Sequence, residues 1–239
     1  TLSARHTPGV TSRDGPRAGR VEYAGVGLGE EQFAATPFEQ VSRWVGEARA
    51  RQDEHGDVPE PDALSVATVD DAGPDVRTVL MRFLDPRGPG FVTNLASLKG
   101  RQLRDDPRVA ASLTWPSMFR AIRFRGMAEL VDRAEVETYF RQRPWGARIS
   151  AWASDQSRPV AGRAPLEAAY AEYAVRFPDR GSPDDVPVPE DWGAFRVRPD
   201  RVEFWAGRVN RLHDRLVLTR VGSGDLADAA SWELTRLQP

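Results

Sequence analysis

Five short runs of β-branched and aromatic residues, crowded between positions 63 and 131, constrain the fold of this chain more than any other feature of its sequence. They read "ALSVATVD" (63–70), "VRTVLMRFLD" (76–85), "GFVTN" (90–94), "VAASLTW" (109–115) and "FRAIRFRGMAELV" (119–131). Turn signals such as "DDAGP" and "DPRGPG" separate neighbours, and strands joined by so few residues run antiparallel. The spacing predicts an antiparallel sheet closing into a β-barrel. "SLKGRQLRDD" (97–106) interrupts the series with a helix capped by Ser97. Further strand patterns at 194–199, 201–207, 215–220 and 232–237 return to complete the barrel. Helical patterns at 133–143 and 163–177 fall outside it, so the fold class is mainly β with flanking helices, α+β.

The start of the ordered chain can be placed from its caps. Thr36 as N-cap, Pro37 in the first turn and Glu39 three residues after the cap open an amphipathic helix on which Phe38, Val41, Val45 and Ala48 recur at helical spacing. Residues 1–19 are rich in Gly, Pro, Ser, Thr and Arg without apolar periodicity, which predicts a flexible tail. Residues 20–239 are expected to form one domain. No run of about eighteen apolar residues occurs, and no basic-then-apolar leader, so the expectation is a cytoplasmic protein outside the membrane. A net charge of −2 offers no overall attraction to nucleic acid. With no cysteine, disulfides, thiolate nucleophiles and Cys-ligated zinc are excluded.

Familiar catalytic motifs are missing. "GVGLG" (25–29) lacks dinucleotide-fingerprint spacing and reads as a loop, and His6, His55 and His213 are too scattered to promise a metal site. Hints of anion binding are stronger. Lys99 is the sole lysine among 33 basic residues. It is either an accident of arginine-biased coding or a site that needs that side chain. Arg77 on a strand and Ser97/Lys99 at a helix start would suit a phosphate. Tyr139 and Arg143, four apart on a helix, either share an oxyanion or form a solvated arginine beside a half-buried tyrosine. In "RLHDR" (211–215), extended backbone would put Arg211, His213 and Arg215 on one face, either an exposed edge or the wall of an anionic aromatic site. Asp214 would point the other way, so His213–Asp214 is not a catalytic pair.

Taken together, "DALSVATVDDAGPDVRTVLMRFLD", "FVTNLASLKGRQL", "YFRQRPWGARISAWASDQSRPV", "WGAFRVRPDRVEFWAG" and "NRLHDRL" resemble the pyridoxamine 5′-phosphate oxidases, flavoenzymes of the FMN-binding split-barrel fold. The resemblance runs from about Arg20 to the terminal "RLQP". It implies a homodimer with FMN at the interface. It also implies oxidation of pyridoxine or pyridoxamine 5′-phosphate to pyridoxal 5′-phosphate, with hydride passing to the flavin and dioxygen reduced to hydrogen peroxide. The strand Arg77, Thr78, Val79, Leu80 and Arg82 would line FMN, with Val92, Thr93, Ser97, Lys99, Gln156, Ser157, Trp205 and Arg215 as further contacts, and Arg77 and Lys99 on its phosphate. Tyr139, Arg143 and Arg82 would clamp the substrate phosphate, Arg20 and Tyr23 would cover the substrate, and Arg211 and His213 would hold its ring as the catalytic pair.

The sequence departs from that pattern at four places. Arg82 replaces a common lysine, Leu98 a common arginine, Ala121 a glutamine and Ala147 a serine. Each lost contact would weaken binding by roughly 1–3 kcal/mol if nothing compensates. Two alternatives therefore accompany the oxidase reading: a flavin oxidase of another reduced aromatic, such as those of phenazine biosynthesis, and a non-catalytic flavin- or pyridoxal-phosphate-binding homologue.

Overall fold

The computed structural model describes residues 22–239, so the tail expected over 1–19 and the substrate-covering role expected of Arg20 lie outside the described residues. Eight strands form one antiparallel sheet: β1 (Ala63–Asp70), β2 (Gly73–Asp85), β3 (Gly88–Asn94), β4 (Arg108–Trp115), β5 (Arg120–Leu130), β6 (Trp192–Ala206), β7 (Asp214–Arg220) and β8 (Trp232–Arg236). Their order is β3-β2-β1-β4-β5-β6-β7-β8, and a further β3–β6 pairing, Phe91 opposite Phe195, closes the first six into a barrel. The expected barrel is therefore present, with β7 and β8 extending the sheet beyond the closure.

Strand alternation builds the barrel core. Val109, Ala111, Leu113 and Trp115 of β4, with Ile122 and Phe124 of β5, point inward and are buried. Two strands were expected over 194–207, but β6 is continuous. The register shifts where Arg125 faces Arg201 and Gly126 faces Pro199, leaving Asp200 as the extra residue. Proline cannot donate to the ladder, and a bulge lets the strand pass it unbroken. β6 thus serves three neighbours, β3 and β5 along its first half and β5 and β7 along its second.

α1 (Pro37–His55) follows its Thr36 cap, whose Oγ1 accepts the Glu39 N–H at 3.1 Å. The reciprocal Glu39 contact of a full capping box is not made among the described residues. Val41, Trp44, Val45 and Ala48 are buried against the barrel, with Trp44 edge-on to Phe204 at 5.4 Å. α2 (Leu98–Asp105) takes Ser97 as N-cap, as expected. α3 (Arg133–Gln142) and α5 (Arg163–Arg176) occupy the predicted positions, but α4 (Trp145–Ala153) was not anticipated. Pro144 and Gly146 mask it, although Trp145, Ile149 and Trp152 recur at helical spacing and pack into the core around Val136 and Phe140. Val136, Phe140, Ile149 and Trp192 form a second, smaller core between these helices and the sheet. Among the described residues no helix is long and apolar enough to cross a membrane.

Candidate active site

A cleft of about 710 Å³ opens where β2 and β3 meet α2 and the α3–α4 junction. Its walls include Arg77, Thr78, Val79, Leu80 and Arg82 from β2, Val92 and Thr93 from β3, and Lys99 from the first turn of α2. Gln156, from the loop after α4, joins them. At this end, Lys99 Nζ donates to Gln156 Oε1 at 2.8 Å and Thr93 Oγ1 at 3.3 Å. Burial, together with the Arg77 charge, pushes the Lys99 pKa down, since neither favours a second cation. Arg77 is braced for its position: it donates to Thr68 Oγ1 at 2.7 Å, Asp75 Oδ2 at 2.6 Å and Gln102 Oε1 at 2.9 Å.

Tyr139, Gln142, Arg143, Pro144 and Ala147 close the other end. Tyr139 and Arg143 do converge, but not through helical spacing. α3 stops at Gln142, and Arg143 is extended (φ −72°, ψ 146°). A residue preceding proline is driven out of the α region, so Pro144 turns Arg143 away from the helix axis. Its guanidinium lies 5.0 Å over the Trp192 ring, on which Tyr139 stacks at 6.2 Å and 3°. Burial, partly offset by Tyr139 and reinforced by the Arg82 charge, lowers the Arg143 pKa. Arg143 Nη1 is buried without a hydrogen-bond partner among the described residues. A buried charged donor left unmatched is costly and calls for an acceptor.

The remaining predicted residues lie elsewhere. Ser97 is fully buried, and its Oγ accepts from Gly100 N–H at 3.2 Å and stands 3.3 Å from Thr93 Oγ1. It shapes the cleft from behind. Ser157 is exposed in left-handed backbone (φ 71°) and does not line the cleft. Trp205 and Arg215 sit opposite one another on β6 and β7. Arg215 donates to the buried Glu203 at 2.8 Å and lines a separate 510 Å³ cavity on the outer sheet face.

The single-face arrangement expected for Arg211, His213 and Arg215 does not occur. Residues 209–211 make a 3-10 turn, Arg211 is left-handed at φ 64°, and β7 begins only at Asp214. Arg211 and His213 instead meet Tyr23 and Trp205. The Arg211 guanidinium lies 4.2 Å over the Tyr23 ring, and His213 stands 5.3 Å from Tyr23 and 4.8 Å from Trp205, centroid to centroid. Arg208 N–H donates to His213 Nδ1 at 3.1 Å. Burial and the Arg211 charge lower the His213 pKa, with Asp214 opposing them. Asp214 itself turns to Leu28 and Arg236.

None of Tyr23, Trp205, Arg211 and His213 lines the cleft. Gln102 and Glu203, which brace Arg77 and Arg215, were not singled out beforehand. Nothing in their local sequence distinguishes a buried polar residue from an exposed one.

Known proteins match this chain over most of its length. Residues 52–206 match the family model "Pyridoxamine 5′-phosphate oxidase", and residues 192–239 match "Pyridoxine 5′-phosphate oxidase C-terminal dimerisation region". The pyridoxine/pyridoxamine 5′-phosphate oxidase of Kineococcus radiotolerans is 45% identical over 225 residues, covering 94% of this chain and 99% of the relative. That of Streptomyces avermitilis is 43% identical over 234 residues, covering 96% and 100%. Among solved structures, PhzG from Burkholderia lata, in complex with tetrahydrophenazine-1-carboxylic acid, superposes with a TM-score of 0.77 at 28% identity, covering 90% of this chain and 99% of that one.

Proposed function

The chain belongs to the pyridoxine/pyridoxamine 5′-phosphate oxidase family, and from that membership we propose that it is an FMN-dependent oxidase of a phosphorylated pyridine, forming pyridoxal 5′-phosphate with dioxygen as acceptor. The observation that carries this reading is the pair of cationic ends in one cleft, Arg77 with Lys99 and Arg82 with Arg143. Among the described residues, Lys99, Arg82 and Arg143 pair with no carboxylate, and the orphaned Arg143 Nη1 awaits an acceptor. Two anionic groups are thus invited, which suits a cofactor phosphate at one end and a substrate phosphate at the other.

The donor set fits FMN. Arg77 and Lys99 would hold its phosphate with the Thr93 hydroxyl, and Thr78, Val79, Leu80 and Val92 would flank the ring system. Bound FMN supplies the hydride acceptor. The chain's own task is then to bind and orient. Tyr139 and Arg143 would fix the substrate phosphate, and Trp205, Arg211 and His213 would meet the ring. His213 Nδ1 already accepts from Arg208, so a neutral imidazole carries its proton on Nε2 and acts as a donor.

Tyr23, Trp205, Arg211 and His213 do not line the cleft formed within one chain, so we place the active site between two copies. The match of 192–239 to a dimerisation region supports this, as does the outer sheet face, where Ser65, Ala67, Ala110 and Ser112 leave room for a partner. A second reading, oxidation of a phenazine precursor, rests on the likeness to PhzG. The curated relatives are more similar, and a substrate without phosphate would leave Arg143 unmatched. The test is anaerobic addition of pyridoxamine 5′-phosphate to the purified yellow protein. Bleaching that reverses in air is expected. Flavin that stays oxidised would overturn the substrate assignment, and failure to bind FMN would overturn the oxidase reading altogether.

A further inference from the structure

From Glu22 to Gly29 the chain has no regular secondary structure, yet it carries Tyr23 to the His213 turn. Such a strap needs anchoring from outside. One carboxylate and two arginines provide it. Asp214 Oδ2 accepts the Leu28 N–H at 2.9 Å, while Asp214 Oδ1 accepts from Arg236 Nη1 at 2.6 Å. Arg236 grips Glu30 through two N–H groups, Nε and Nη2, each at 2.7 Å, and Nη2 also reaches the Leu28 carbonyl at 3.2 Å. Arg208 Nη1 donates to the Val26 carbonyl at 3.1 Å and lies 3.6 Å from Asp214 Oδ2.

The sequence of the strap suits this grip. Gly27 sits at φ 77°, and a Cβ there would stand 2.0 Å from Arg208 Nη1 and 2.5 Å from Asp214 Oδ2. Only glycine lets the two side chains close on the backbone. The "GVGLG" segment is therefore a packed strap, not merely a loop. Leu28 beside it is buried. The same short turn controls both sides of the site: Arg208 holds the strap through its side chain and His213 through its backbone N–H.

We propose that Asp214 and Arg236 are positioning residues that clasp residues 26–30, setting Tyr23 against Arg211 and His213 before substrate arrives. The substrate in this statement rests on the oxidase reading, whereas the clasp does not. Preorganising the strap removes its ordering cost from the binding step, so loosening it should raise KM more than it lowers kcat.

The test compares wild-type, Arg236→Ala, Arg236→Lys and Asp214→Asn as FMN-loaded full chains. Hydrogen exchange of residues 24–30, KM and kcat for pyridoxamine 5′-phosphate, and FMN affinity are measured on each. For Arg236→Ala, exchange over the strap should rise about tenfold and KM by a similar factor, with kcat and FMN affinity within about twofold of wild-type. Arg236→Lys keeps the charge without the two-pronged grip and should fall between. Strap exchange unchanged in both Arg236→Ala and Asp214→Asn would overturn the clasp. Faster exchange with an unchanged KM would overturn the positioning role. If wild-type enzyme does not turn over this substrate, the substrate assignment falls, and the exchange comparison still decides the clasp.

Discussion

Replacing Arg143 with methionine separates the two costs that this side chain carries. Without ligand, Arg143 Nη1 is buried and unmatched, while its guanidinium lies 5.0 Å over Trp192. An unsatisfied buried donor costs about 1–3 kcal/mol. The cation–π contact returns about 0.5–2 kcal/mol. The two nearly cancel, and methionine also fills the apolar space, so the ligand-free protein should lose no stability and can gain up to about 1 kcal/mol. A phosphate changes the balance, because a hydrogen bond to a charged group contributes about 1.5–3 kcal/mol. At about 1.4 kcal/mol per tenfold, kcat/KM for pyridoxamine 5′-phosphate should fall roughly 12- to 140-fold. The unphosphorylated amine serves as the control, since it has nothing for Arg143 to hold. Steady-state oxygen consumption with both substrates, beside thermal melts, checks the reasoning. An equal loss for both substrates would refute a phosphate role for Arg143, and a clear drop in ligand-free stability would refute the claim that its Nη1 is an unmet cost.

Other perturbations test other parts of the molecule. Lys99→Met removes a half-buried cation whose hydrogen bonds among the described residues are all to neutral groups, so FMN should dissociate about 10- to 100-fold more readily while the ligand-free fold is retained, measured by flavin fluorescence titration. The Glu30 carboxyl, held by Arg236, is lowered from 4.5 to about 2. A carboxyl lowered on folding contributes stability that is fully present above its unfolded pKa and is lost as pH falls through the folded one. Strap protection from exchange should therefore hold from pH 7 to about 5 and fade between about 4.5 and 2, and this fading should be weaker in Glu30→Gln. An identical acid profile in that variant would contradict the assignment. Phe204→Ala, fully buried between Trp44 at 5.4 Å and Phe33 at 5.1 Å, should cost about 3–5 kcal/mol in denaturant unfolding.

Local signals wrote most of the barrel into the sequence. β1 spans the predicted residues 63–70, and Thr36 and Ser97 cap the helices they were expected to cap. Such features depend on near neighbours, namely strand alternation, turn residues and a hydroxyl reaching a backbone N–H three residues on. The lone Lys99 and the strand from Arg77 to Arg82 were also legible, and they share one cleft with Tyr139, Arg143 and Gln156.

Contacts between distant segments were not legible. Pro144 turns Arg143 out of its helix, Trp192 receives it, and Glu203 holds Arg215 on a different face from the cleft. The left-handed backbone at Arg211 breaks the extended run on which an arginine–histidine–arginine face depended. Asp214, an uninformative neighbour of His213 in the sequence, became the anchor of a strap nearly two hundred residues away along the chain. The sequence by itself determined most of the segments that become strands and helices, α4 and the unbroken β6 excepted, because those choices rest on local backbone and burial preferences. Only the tertiary structure decided which charged side chains meet, because barrel closure, a bulge and a single turn set directions that no local pattern encodes.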